Sequence, residues 1–298
     1  YGANVGSNHT LKAPDQELLP GEGVFFGLGC CIKFPSNFQR AQYAVVATGV
    51  ATLPQRVEMP FALINSPGHN IRELSPAINE ISPAWVLKHS VFTVLRNEWK
   101  FATRNQSKRT KVDAAILRPE IVQSMIDARS QLVAAAGKAT IRLADTGEAI
   151  YTDKQVAGLG KNYMREAARL EAIDAYSFFI QVFALEGLLA WLEKDGSQGA
   201  LPVSLRDLPQ GTFILDLIAQ EFPGDLRVLG ALQDLVLRRR RIEQDAIKGK
   251  KRDDARGQRI VDDYAFVHSP VEQEGAVQYA QRLTADIQQR VARFVARL

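Results

Sequence analysis

Phe26, Ile32 and Phe38 stand six residues apart, and the same interval separates Val5 from Leu11, Val46 from Thr52, and Leu53 from Met59. Six is neither the helical repeat nor the two-residue alternation of a hairpin. It suits a β-solenoid, specifically a left-handed β-helix, in which three short strands per coil each send one apolar residue to the axis. Small or turn-forming residues follow the inward positions, as in Val5-Gly6-Ser7-Asn8, where tight corners favour Gly and Asn. The register slips between Phe38 and Val46 and again at Leu53. Pro14, Pro20, Gly21 and Gly23 make residues 13–23 a loop that projects between coils. A twisted β-sandwich of short strands is the alternative for residues 1–64.

The pattern then changes twice. Residues 65–118 contain Pro67, Gly68, Pro76 and Pro83 and are expected to form a connector. Within it, the Val, Phe and Thr content of Trp85 to Leu95 favours a strand or an irregular packed segment. From Pro119 onward the period is helical: Val122, Met125, Ile126, Arg129, Leu132 and Val133 share a face, Pro119 suits a first helical turn and Gly137 a terminator. Residues 138–153 fit a short hairpin through Thr146-Gly147. Residues 162–194 fit a long buried helix or a broken pair, and further helices are expected at 212–221 and 225–247. The last helix carries the stripe Leu283, Ile287, Val291, Phe294, Val295 and Leu298, which must bury itself. Its expected partner is the 225–247 helix, reached through a polar loop at 248–259; a coiled-coil dimer is the alternative. The predicted architecture is therefore the final coils of a left-handed β-helix (1–64), a connector (65–118) and an α-helical C-terminal domain (119–298).

Charge narrows the functional classes. The chain carries 37 Lys and Arg against 33 Asp and Glu, but residues 1–118 hold thirteen basic and eight acidic side chains, and residues 119–298 hold 24 and 25. Seven of those thirteen basic residues, with only two acidic ones, fall between 96 and 118. The excess is one local feature. At 46% hydrophobic and 23% charged residues the chain is globular rather than disordered. Cys30 and Cys31 are adjacent, a spacing that supports neither a disulfide framework nor a zinc site, so a reducing cytoplasm is expected. No secretory pattern follows Tyr1, and a start without Met suggests a C-terminal fragment of a longer protein. The apolar window Tyr176 to Leu192 is interrupted by Gln181 and Glu186 and reads as a buried helix, so no membrane partner is expected.

Two groups of residues have the chemistry of a site. His9 has an imidazole suited to take a proton from a hydroxyl or amine. Asn8 beside it can polarise a carbonyl, and Asp15 or Glu17 can orient the ring if the following loop folds back. The plainer reading makes His9 a corner residue bonded to its own loop. The second group is Arg96, Lys100, Arg104, Lys108, Arg109 and Lys111, whose density suits a phosphate or pyrophosphate, with Trp99 or Phe101 available to stack on a base. A nucleotide, nucleotide sugar or acyl-coenzyme A would satisfy it. Nucleic acid is not expected, because the rest of the chain is balanced and no binding module is recognisable. The competing reading is a solvated connector paired with acidic groups of the helical part.

Other features carry less. Gly158-Leu159-Gly160-Lys161-Asn162 offers backbone N–H groups ahead of a helix but lacks full phosphate-loop spacing. His69, His89 and His268 are too scattered for a metal site, and Glu80, Glu98 and Asp113 form no recognisable carboxylate pair. Arg238 to Arg241 read as a solvated helix end. No cofactor is indicated.

The segment Val5 to Thr10 and the stretch Pro20 to Phe38 resemble the final coils of the hexapeptide-repeat, left-handed β-helix superfamily. More narrowly, APDQELLPGEGVFFGLG (Ala13 to Gly29), IKFPSNF (Ile32 to Phe38) and GLGKNYM (Gly158 to Met164) resemble an uncharacterised bacterial family of longer proteins, known only as a domain of unknown function. The superfamily resemblance implies acyl transfer to sugars or amines, a trimer with sites between neighbouring solenoids, and a His base, for which His9 is the position that matches. The leading expectation is a cytoplasmic bacterial transferase-like homo-oligomer acting on a phosphorylated or nucleotide-linked sugar. The rival is a non-catalytic assembly or binding protein.

Overall fold

The computed structural model describes residues 17–194 and 202–296. They fall into two compact units that interleave in sequence. One takes the described chain up to His89 together with Pro119–Ser177; the other takes Ser90–Arg118 and the chain from Phe178 onward.

The first unit begins with very short strands: β1 (Leu18–Leu19), β2 (Phe25–Phe26), β3 (Cys31–Ile32), β4 (Ser36–Asn37), β5 (Val45–Val46), β6 (Ala51–Thr52), β7 (Gln55–Arg56), β8 (Leu63–Asn65) and β9 (Asn79–Ser82). Parallel pairing joins residues eighteen to twenty positions apart: Leu18 with Ser36, Ser36 with Gln55, Phe25 with Val45, Val45 with Leu63, and Cys31 with Ala51. Ile32, Phe38, Val46, Thr52 and Met59 are all buried. Tyr43 and Phe61, both in the left-handed backbone region, stack their rings 5.3 Å apart.

The pairing then turns around. β9 returns antiparallel to β8, and β12 (Asn162–Arg165) lies parallel beside β9, with Tyr163 opposite Glu80. A hairpin of β10 (Ile141–Arg142) and β11 (Ala149–Tyr151) completes a mixed seven-stranded sheet in the order β10-β11-β12-β9-β8-β5-β2. The expected left-handed β-helix followed by an α-helical domain is therefore corrected. The large sheet is mixed: the hairpin expected within residues 138–153 is present as β10 and β11, but it joins the N-terminal strands through β12, which falls in the stretch 162–194 expected to be helical. A six-residue spacing reports which side chains point inward; it does not report how the strands are connected, and short parallel ladders inside a mixed sheet leave the same spacing.

Helices complete the two units. α1 (Trp85–His89) and the start of α2 (Val91–Arg104) occupy Trp85 to Leu95, the segment expected to be a strand or an irregular packed segment. α3 (Pro119–Ala134) starts at the proline and ends before Gly137, whose φ of 72° suits a helix terminus. α4 (Glu166–Lys194) contributes residues 166–177 to the first unit and 178–194 to the second. It is long and apolar enough to cross a membrane, yet 56% of its most apolar window is buried within the protein, as in a core helix. In the first unit, the α4 residue Tyr176 donates its hydroxyl to the Pro60 carbonyl at 2.6 Å from a fully buried position, and burial drives its phenol far above the usual value.

In the second unit α2 packs with α6 (Val228–Gly257) and α8 (Gly275–Val295), while α5 (Phe213–Glu221) and α7 (Tyr264–Val267) are shorter. The α8 face Ala276, Val277, Ala280, Thr284, Ile287, Val291 and Phe294 is buried against this bundle. Burying one such large side chain is worth about 1.5–3 kcal/mol, so the stripe is satisfied within the chain. The expected polar loop at 248–259 is instead the last three turns of α6. They persist because Lys250 is buried, pairs with Asp254 and donates to the Ser269 carbonyl at 3.2 Å, while Tyr264 donates to Asp254 at 3.0 Å.

Candidate functional site

His9, Asn8 and Asp15 lie outside the described residues. The six basic residues all lie within them. Arg96, Lys100 and Arg104 are four residues apart on α2, which places them on one face of that helix. Lys108 and Arg109 occupy the centre of a turn closed by two bonds: the Ser107 N–H donates to Asn105 Oδ1 at 2.9 Å, and the Ser107 hydroxyl donates to the Thr110 carbonyl at 2.9 Å. Lys111 follows, also exposed. Among the described residues none of the six forms a salt bridge. Partial burial, then the charges of Arg96 and Arg104, holds the Lys100 ammonium below the usual lysine value, with Glu274 opposing weakly.

The opposite side of α2 is built differently. Glu98 is largely enclosed, and its carboxylate accepts the Ile116 N–H at 3.4 Å, tying the end of the basic loop back to the helix. Burial pushes the Glu98 carboxyl up; Ile116 and Arg239 pull it down, and Glu186 and Asp113 push it further up. Arg239 is largely but not fully buried and is ion-paired with Glu186. Burial, then the Glu98 charge, raises the Tyr279 phenol. Arg238 to Arg241 are thus in mid-helix rather than at a solvated end: Arg238 pairs with Asp234 at 2.7 Å, and Arg238 and Arg241 lie 5.2 and 4.7 Å from the Phe178 ring. Trp99 packs against Gly275, where any side chain would collide with the indole. Of the two rings proposed to stack on a base, only Phe101 is exposed enough to do so.

The glycine segment 158–162 is a packing device. Gly158 and Gly160 adopt φ of 86° and 67°, and a Cβ on Gly160 would lie 2.6 Å from Gln55 Oε1. The Lys161 N–H is occupied by Gln55 Oε1 at 3.0 Å, and its ammonium pairs with Asp153 at 3.0 Å. No open anion cradle results.

The first unit holds a polar network that residue spacing did not suggest. Glu80, on β9, accepts from Arg165 Nε at 2.8 Å, from the Tyr163 hydroxyl at 2.9 Å and from the Gly68 N–H at 3.3 Å. Burial opposes the Glu80 charge, but these donors win and hold its carboxyl below the usual range. Burial, then the Glu80 charge, pushes the Tyr163 phenol up to about 12. His69 stands beside this network, whereas His89 contacts Glu171 at 3.2 Å and His268 stacks on Tyr264 with ring centres 4.0 Å apart. Among the described residues no three His, Cys, Asp or Glu side chains converge as metal ligands.

No family model matches the chain. No solved structure matches it either. A stretch of 142 residues is 27% identical to an uncharacterized protein of Treponema pallidum (strain Nichols), covering 47% of this chain and 18% of that protein. The chain thus spans less than a fifth of the length of the curated relative it matches.

Proposed function

We propose that the chain recognises a phosphorylated or nucleotide-linked sugar through the outer face of α2, as the phosphate-holding part of a transferase-like protein. One observation carries this: Arg96, Lys100 and Arg104 share a helix face with no salt bridge among the described residues, and their mutual repulsion contributes to the depressed Lys100 pKa. Like charges on successive turns destabilise a helix unless a counter-charge is supplied. A phosphate or pyrophosphate supplies it, with guanidinium forks on either side of an ammonium. Arg96 to Arg104 covers about 12 Å of helix at ~1.5 Å per residue, a length suited to a short oligophosphate rather than a nucleic-acid strand. Phe101 offers a ring beside Lys100. The transfer chemistry rests on the superfamily resemblance alone. Cys30 and Cys31 are both unpaired, which favours the cytoplasm as the compartment.

Titration calorimetry with a nucleotide sugar and with acyl-coenzyme A tests the binding. Alanine at Arg96, Lys100 or Arg104 should weaken the complex by tenfold or more, and higher salt should weaken it further. Equal affinity in the triple variant removes this face from the function. Incubation with both compounds, followed by mass analysis of the sugar, tests the transfer.

One observation favours assembly instead: Phe266 and Ile260 are 93% and 81% exposed, with Val267 beside them. Such a group is unusual on a surface with no partner. On that reading light scattering shows a homo-oligomer, up to the trimer the resemblance implies, that Phe266→Ser dissociates.

A further inference from the structure

A recess of about 320 Å³ lies between the loop around His69 and the β12 residue Tyr163. Its lining includes apolar side chains, Ile71, Leu74 and Ile78, which pack with Tyr163, Leu143 and Ile150 in one hydrophobic cluster. It also includes the polar residues His69, Asn70 and Ser75. No Asp, Glu, Lys or Arg lines it among the described residues.

The recess is held open by the network beneath it. Glu80 fixes the loop through the Gly68 N–H and fixes the Tyr163 ring through its hydroxyl, and Arg165 fixes Glu80. A Cβ on Gly68 would stand 3.1 Å from the Glu80 carboxylate, so the loop packs tightly on it and a side chain there would push the carboxylate back by a few tenths of an ångström. A wall pinned in this way gives up little freedom when a ligand enters. The Glu80 charge is already met by Arg165 and by hydrogen bonds from Tyr163 and Gly68, and does not face the recess as a free anion. Among the described residues, the side chains of His69 and Asn70 make no hydrogen bond within the protein, so both have their donors and acceptors available.

From these features we infer that this recess is a binding site for a small uncharged molecule that carries both hydroxyl or amide groups and hydrocarbon surface. Its size follows from the volume: at roughly 30 Å³ per water-sized group, 320 Å³ takes on the order of ten to twelve non-hydrogen atoms. A neutral monosaccharide has about that size and that mix of polar and apolar surface. A phosphate group would find no cationic side chain in the lining. The inference is independent of the α2 reading, which concerns the other unit and a charged ligand.

Saturation-transfer NMR and titration calorimetry on the full chain, with glucose and N-acetylglucosamine as neutral probes and glucose 6-phosphate as the charged one, decide the matter. At least one neutral probe should bind, with affinity falling tenfold or more in His69→Ala and in Asn70→Ala. Ser75→Trp, which fills the recess from its exposed rim, should abolish binding while leaving the melting temperature and pyrophosphate binding at α2 as in the parent chain. Absence of binding by both neutral probes at millimolar concentration overturns the proposal. So does binding that survives Ser75→Trp, or tighter binding of glucose 6-phosphate that Ser75→Trp removes. Loss of pyrophosphate binding in Arg96→Ala bears only on α2.

Discussion

Tyr163 and Glu80 face one another across the parallel β9 and β12 pair, and the phenol donates to the carboxylate at 2.9 Å. The bond joins strands 83 residues apart in sequence and fixes the loop at Gly68 through the same carboxylate oxygen. Removing the acceptor leaves a buried phenol without its partner, which costs more than the bond itself contributes. Glu80→Ala should lower the unfolding free energy by about 2–3 kcal/mol, measured by urea titration with an unchanged denaturant slope. A loss below about 0.5 kcal/mol, the scale of an ordinary surface change, would show that the network is incidental.

The same carboxylate gives an acid limb to stability. Its folded pKa is lowered from the ordinary 4.5, so the folded state gains from ionised Glu80 above 4.5, and that gain disappears as pH falls through the lower folded value. Glu80→Gln should therefore flatten the melting temperature against pH below 4.5. If parent and variant lose stability in parallel over that range, the acid limb belongs to other groups.

Glu98 has the opposite sign. Its carboxyl is raised above 4.5, so the folded state is favoured when the group is protonated, and that advantage is lost as pH rises through 4.5 toward the raised value. Glu98→Gln keeps an oxygen for the Ile116 N–H and removes the buried charge. The variant should melt higher than the parent at pH 8 and show a flatter profile above pH 4.5. Arg239 supplies the control, since it remains paired with Glu186. A lower melting temperature at pH 8 would mean that Arg239 requires both carboxylates.

How much of this was readable beforehand follows from which interactions are local. Ile32, Phe38, Val46 and Met59 are buried where their spacing placed them, and so are Ile287, Val291 and Phe294 of the α8 stripe, whereas Val295 is exposed and Leu298 lies outside the described residues. The antiparallel return of β9 and the insertion of β12 were not readable. They depend on which distant strand edge is free, and no local period encodes that. Trp85 to Leu95 looked extended because Val and Thr are common in strands, but packing of α2 against α6 and α8 overrides a weak preference. That misreading also hid the arrangement of the basic group, though not its residues. Arg96, Lys100 and Arg104 form a stripe only once the segment is known to be helical. Glu80 looked solitary because Tyr163 and Arg165 reach it from another strand.

Ile287 and Val291 separate an intramolecular bundle from a coiled-coil dimer. Both are buried within the chain on the α8 face packed against α2 and α6. Ile287→Ala should cost roughly 2–5 kcal/mol as a core truncation, with a melting temperature independent of protein concentration in parent and variant alike. A melting temperature that rises with concentration and loses that dependence in the variant would place a second chain on this face.

Gly160→Ala tests whether the glycine segment packs or binds. A Cβ there meets Gln55 Oε1 at 2.6 Å and the Arg56 carbonyl at 3.0 Å, on a backbone at φ 67° that costs an alanine about 1–2 kcal/mol before any collision. Gln55 is held in place because its Oε1 accepts from Asn162 Nδ2 at 2.8 Å as well as from the Lys161 N–H at 3.0 Å, so its withdrawal gives up both bonds, while Asn162 Nδ2 keeps only the Leu159 carbonyl. Steric displacement and backbone strain therefore add, and the expected loss is about 2–4 kcal/mol in urea unfolding. Phosphate affinity at α2 should not change, because the Lys161 N–H and ammonium already have partners inside the first unit. A variant of parental stability that loses pyrophosphate binding would reverse the assignment and make Gly158 to Lys161 the anion site.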